Sequence, residues 1–147
     1  MLCSKPVWVF VVYVLLDLIC IGMGMGVPIF CILLGFPVGW FLVKYIASTS
    51  SNVHEIMRKV LRYALLTSLV TLVGMVLVWG TSVIMLSDPT LDLANYGIPM
   101  ILYEPLASFI GWMALMVLIS PFLQLLASIF AAYLTLVGWV KKEQNII

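Results

Sequence analysis

Residues 7–46 read VWVFVVYVLLDLICIGMGMGVPIFCILLGFPVGWFLVKYI, and this stretch decides the fold. It is apolar almost throughout, carries a single acid, Asp17, and is interrupted at its centre by Gly22, Gly24, Gly26 and Pro28. About 20 apolar residues cross the hydrocarbon core of a bilayer, so a run twice that long with a central breaker predicts two crossings joined by a tight turn. The spans are placed at 6–21 and 28–46. The first is short: at about 1.5 Å per residue it covers roughly 24 Å of a core of about 30 Å. The glycine turn is therefore expected to dip into the bilayer under the cover of other helices.

The rest of the chain is of the same kind. Its 147 residues are 65% hydrophobic and 9% charged, with a mean hydropathy of +1.24. Soluble domains carry about 25% charged residues, so this chain cannot coat a water-facing surface. In lipid each segment must satisfy its own backbone groups, which predicts helices. The long continuous apolar runs exclude the short alternating strands of a β-barrel. A net charge of +1 without a basic cluster of the nucleic-acid-binding kind predicts no nucleic-acid partner. The three cysteines, Cys3, Cys20 and Cys31, are odd in number and two lie inside apolar runs, which argues against a disulfide framework. Lys5 followed by an apolar run resembles the start of a signal peptide. No small-residue cleavage site follows it, so the segment is read as a retained span.

Beyond residue 46 the chain turns polar and basic, with His54, Arg58, Lys59 and Arg62 against Glu55. Asn52 followed three residues later by Glu55 is a helix-start pattern, and Val53, Ile56, Met57, Val60 and Leu61 recur at helical spacing. A helix is expected from near Val53 on the membrane surface, with a third span at 63–86. Ala64, Ser68, Thr71 and Gly74 share one face of that span, a stripe of small residues that lets another helix approach closely. Residues 87–104 are acidic, contain no Lys or Arg, and read as a loop. From Pro105 to Val140 the chain is apolar again, interrupted at Ser120-Pro121. The reading is a fourth span at 105–140, kinked near Pro121, with a re-entrant first part or two crossings as alternatives.

Basic segments flank the cytoplasmic side of membrane proteins. Four crossings put Lys5, the Arg58 segment and the tail at Lys141 and Lys142 on one side, and the acidic loop on the other. The expectation is an all-α polytopic membrane helix bundle of about four spans with both termini cytoplasmic, multi-pass in a plasma or inner membrane. Trp8 and Trp139 are placed at the inner interface, Trp79 and Trp112 at the outer one, and Trp40 deeper, packed among helices.

An acid within a span usually faces protein or water and marks a site. Tyr13 lies one turn from Asp17 on the same face. Counting depth along the helices brings Gln124, Ser120 and Thr81 to a similar level, so a polar layer of Asp17, Tyr13, Gln124, Thr81 and Ser120 is predicted. Gly22 with Gly26, and Gly35 with Gly39, are GxxxG pairs suited to close contact between copies. Pro37 between the second pair, and Pro121, are candidate helix breaks of the kind that expose backbone carbonyls in transporters. Cys20, Met23, Met25 and Cys31 are soft ligands for Cu(I), but their spacing matches no metal motif, and no metal or cofactor is expected. His54 has no second histidine, so no enzyme is expected. The functional expectation is a transport-related or permeation protein acting as an oligomer. The alternative is a non-catalytic scaffold or subunit that packs against another membrane protein through its small-residue faces.

Overall fold

The computed structural model describes residues 6–22, 29–48, 52–85 and 100–144, and helices account for nearly all of them. Helix α1 spans Pro6–Gly22, α2 spans Ile29–Ala47 and α3 spans Val53–Met85. The last helix is continuous but not uniform: α4 (Pro105–Ala114) passes through a π-helical turn at Leu115–Ile119 into α5 (Ser120–Gln144). Three segments are long and apolar enough to cross a membrane: Ile29–Ala47, Val53–Ile84 and Pro105–Trp139. Helix α1 is apolar but shorter. The chain is an all-α membrane helix bundle.

Contacts fix the directions. Tyr13 meets Thr67 and Thr71, and Asp17 meets Thr71, so α1 and α3 run parallel. Gly35 lies against Gln124 and Ala127, and Gly39 against Ser128 and Ala132, so α2 and α5 also run parallel. Val43 and Ile46 of α2 form a core with Ile56 and Val60 of α3 and with Ala132 and Leu136 of α5, which sets α3 antiparallel to both. The bundle is therefore up-down-up-down. The start of α1, the α2–α3 connection and the last turns of α5 lie at one end. A second core at the other end holds Ile21, Cys31, Met75, Trp112 and Met116.

The local chemistry explains the boundaries. Asn52 starts α3: its side-chain oxygen accepts from the His54 N–H at 3.0 Å, satisfying a donor that the first helical turn leaves free. Glu55 pairs with Lys59 at 2.7 Å one turn on. No break separates this surface turn from the span, because Ile56 and Val60 are fully buried and carry the apolar stripe down into the first turn. Pro105 opens α4, where its missing N–H costs nothing, and Ser108 ties the preceding extended backbone by bonding both the N–H and the carbonyl of Leu102 at 2.8 Å.

Just before Pro121, where the sequence reading expects a kink, the helix passes through the π-helical turn. Proline has no N–H and its ring crowds the carbonyl four residues back. The chain widens by one residue there, and the Ser120 N–H reaches Leu115 instead. Residues 105–140 thus belong to one continuous, irregular helix that runs from Pro105 to Gln144. Pro37, in contrast, does not interrupt α2, which runs through it from Ile29 to Ala47.

Two tryptophans change places relative to the sequence reading. Trp112 is 4% exposed and sits in the second core, while Trp40 is 48% exposed on the bundle surface. Depth along a helix is readable from the sequence; the direction in which each ring points is not.

Candidate functional site

The interior of the bundle holds one connected set of polar side chains, and Thr71 is its hub. Its hydroxyl oxygen lies 2.8 Å from Asp17 Oδ2, 2.6 Å from Gln124 Oε1, 3.0 Å from Tyr13 Oη and 3.2 Å from the Thr67 carbonyl. Gln124 Nε2 donates to Tyr13 Oη at 3.2 Å and, more weakly, faces Asp17 Oδ1 at 3.4 Å. Tyr13 Oη donates to the Thr67 carbonyl at 3.0 Å. Three helices contribute: α1 gives Tyr13 and Asp17, α3 gives Thr67 and Thr71, and α5 gives Gln124. Asp17, Thr71 and Gln124 are at most 1% exposed.

The spacing explains the meeting. Tyr13 and Asp17 are one turn apart on α1, as Thr67 and Thr71 are on α3, and parallel helices bring such pairs side by side. A carboxyl in an apolar bundle must spend its oxygens on partners, because an unpaired polar group in hydrocarbon costs several kcal/mol.

Counting protons constrains the set further. Thr71 has one hydroxyl proton but faces two acceptor oxygens, Asp17 Oδ2 and Gln124 Oε1, both within 2.8 Å. Thr71 can donate to only one of them, so the other contact needs a hydrogen from its partner. A proton on the Asp17 carboxyl supplies it, and so does a Gln124 amide turned to present its NH2 group to Thr71.

Of the residues placed in this layer from sequence, the structure brings together Asp17, Tyr13 and Gln124. Thr81 does not belong to it: it is exposed and donates to the Val78 carbonyl within its own helix, at 3.3 Å. The reason is register. Counting up from Arg62 brings Thr81 to that level, whereas α3 begins at Val53 and already buries Ile56 and Val60. The same correction moves the layer from Thr81 to Thr71. Thr71 is visible in the sequence as part of the Ala64, Ser68, Thr71, Gly74 stripe, where it reads as packing. Ser120 is fully buried, but its hydroxyl has no partner among the described residues. Its neighbour Pro121 is tied to α3 separately, since the Ser68 hydroxyl donates to the Pro121 carbonyl at 2.7 Å.

The glycine faces expected between copies are used inside the chain. A Cβ on Gly35 would come within 2.5 Å of the Gln124 carbonyl oxygen, and one on Gly39 would overlap the Ser128 carbonyl. The two glycines thus let α5 lie backbone to backbone against α2, and this face is not free for a second copy. Gly22 ends α1, and nothing lies within 4 Å of the place a Cβ would take there. Gly24, Gly26 and Pro28, together with Met23 and Met25, lie outside the described residues, so the predicted turn and its soft-ligand cluster do too. Cys20 and Cys31 are free thiols, half-buried and buried respectively.

Beside the polar layer a groove of about 630 Å³ opens between α1, α2 and α3. Tyr13 and Thr67 line it at the layer, Leu34 and Val38 along its length, and Tyr45 and Tyr63 towards the end of the bundle that holds the α2–α3 connection. Its walls are almost wholly apolar.

No family model matches this chain, and comparison with characterised proteins and with solved structures gives no match either.

Proposed function

We propose that this chain is a non-catalytic, multi-pass membrane protein, a structural subunit in which the Asp17 layer locks three helices in register and is not a permeation path. The observation that carries this is the closure of the layer: Asp17 is 1% exposed and its oxygens are engaged by Thr71 and Gln124 of the same chain. The space next to the layer is an apolar groove, unsuited to water or ions. A transport role would draw on the same acid, in a path assembled by several copies. The Gly35 and Gly39 face that would have joined such copies is filled by α5. The outer surface carries large apolar side chains instead, Leu65, Leu77 and Ile84 among them, which suit lipid or a membrane partner.

By the positive-inside tendency, the end bearing Lys44, Arg58, Lys59 and Arg62 faces the cytoplasm. The test is reconstitution into sealed vesicles with an imposed proton or cation gradient. Wild-type protein should leave the gradient as long-lived as in empty vesicles. Asp17→Asn should fold and resist unfolding nearly as well as wild type, because its amide keeps the shape and can both donate to and accept from Thr71 and Gln124. A gradient that collapses with wild type and survives with folded Asp17→Asn would overturn the proposal.

A further inference from the structure

The groove between α1, α2 and α3 has a length, a chemistry and a charged mouth that belong together. It runs along α2 from Leu34 to Tyr45, which at about 1.5 Å per residue is roughly 16 Å. That is about half of the ~30 Å hydrocarbon core, the depth of one leaflet. Its volume of about 630 Å³ is that of a ligand-sized site, and its walls are apolar with Phe41, Trp40 and Pro37 among them.

At the end of the bundle where Tyr45 and Tyr63 line the groove, cations gather. The Lys44 ammonium sits over the ring of Trp40, 4.0 Å from its centroid, so the charge is held at the groove's own wall. Arg62 stands beside Tyr63 and one turn before Leu66 on α3, both of which line the groove. Lys59 is one turn before Tyr63 and Arg58 is next to it. The one acid on this stretch of α3, Glu55, is already engaged with Lys59. Long basic side chains bury their stems against apolar surface and keep the charge at head-group level. Tyr45 and Tyr63 suit the same level.

We propose that this groove is a binding site for one anionic phospholipid of the adjacent leaflet, with an acyl chain lying along α2 up to Tyr13 and the head-group phosphate held by Lys44 and Arg62. An apolar channel alone would accept any lipid; the cations at its mouth select a negative head group. The inference stands apart from the role given to the polar layer, since lipid preference and ion flux are separate readouts and either can fail alone.

Trp40 reports the site directly. Wild type and Trp40→Phe are reconstituted at high lipid-to-protein ratio in phosphatidylcholine vesicles containing a minor fraction of phosphatidylglycerol or of phosphatidylcholine, brominated on the acyl chain in each case. The difference between the two proteins isolates the Trp40 emission. The brominated phosphatidylglycerol should reach half-maximal quenching at a several-fold lower mole fraction than the brominated phosphatidylcholine. Each juxtamembrane base contributes about a fivefold preference. Lys44→Gln with Arg62→Gln, both at exposed positions, should therefore remove most of the discrimination while leaving quenching by the phosphatidylcholine probe. Val38→Phe, which fills the channel, should weaken quenching by both probes in a protein of unchanged helicity. Equal quenching of wild type by the two lipids overturns the proposal. So does a preference that survives the double substitution, or Trp40 shielded from both probes by a second copy of the chain.

Discussion

Helix α2 shows two faces with opposite treatment of space. Towards α5 it presents Gly35 and Gly39, and the backbones close until no side-chain atom fits between them. Towards α1 it presents Leu34, Val38 and Phe41, and the helices stand apart over a groove of about 630 Å³. Both faces are apolar, and lipid is as apolar as leucine, so hydrophobicity cannot decide which one closes. In a bilayer helices associate through close packing and hydrogen bonds, which small residues allow and large ones prevent. The polar layer lies where the two regimes meet: Gln124, whose carbonyl oxygen touches Gly35, reaches Tyr13, which lines the groove.

The largest effect should come from the closed face. Gly39→Ala places a methyl group against the Ser128 carbonyl and the Ala132 amide, which are backbone and cannot swing aside. Overpacking of a tight core costs about 1–3 kcal/mol, sometimes more, and an obstruction by backbone belongs at the upper end. Reversible unfolding in bicelles should show a loss of about 3 kcal/mol or failure to assemble. Gly138→Ala is the control: nothing lies within 4 Å of its added methyl, and the helix gains up to about 1 kcal/mol from the better helix former. If the two substitutions behave alike, α2 and α5 are not in backbone contact.

The hub of the polar layer comes next. Thr71→Val keeps the shape and removes the hydroxyl that joins α1, α3 and α5. Hydrogen bonds between membrane helices are worth about 0.6 kcal/mol on average and up to about 1.7 kcal/mol. Several are lost together here, so a destabilisation of about 1–2 kcal/mol is expected in the same unfolding assay. Thr81→Val, which removes only a bond to its own helix, should stay within about 0.5 kcal/mol of wild type. A reversal of that order would return the layer to Thr81, the position expected from the sequence.

That contrast also marks how far the sequence could be read. The number of helices, the start of α3 at Asn52 and the disturbance before Pro121 were legible because each rests on local rules: apolar run length, cap chemistry and a missing N–H. The pairing of Asp17 with Gln124 was legible because polar side chains in hydrocarbon have few places to go. Thr71 was not, since a threonine in a stripe with Ala64, Ser68 and Gly74 has the same pattern whether it packs or bonds. The glycine pairs showed the same ambiguity: Gly35 and Gly39 announce a close helix contact, but a sequence does not say whether the partner helix belongs to the same chain. The groove was invisible, because a space between helices is a property of their angles and leaves no residue pattern.

The smallest effect tests the comparison most directly, because it sits one residue from the largest. Val38 precedes Gly39 but lines the groove. A phenyl ring there enters existing space, so Val38→Phe should displace no backbone and should change stability by less than about 1 kcal/mol in either direction. The two substitutions on adjacent residues thus differ by more than their sizes suggest: one added methyl on the closed face should do more harm than a whole ring on the open one. If Val38→Phe proves as damaging as Gly39→Ala, α1 is seated tightly on α2 and the two faces of the helix are alike. The lipid site would then have no room for an acyl chain, whatever the charge at its mouth.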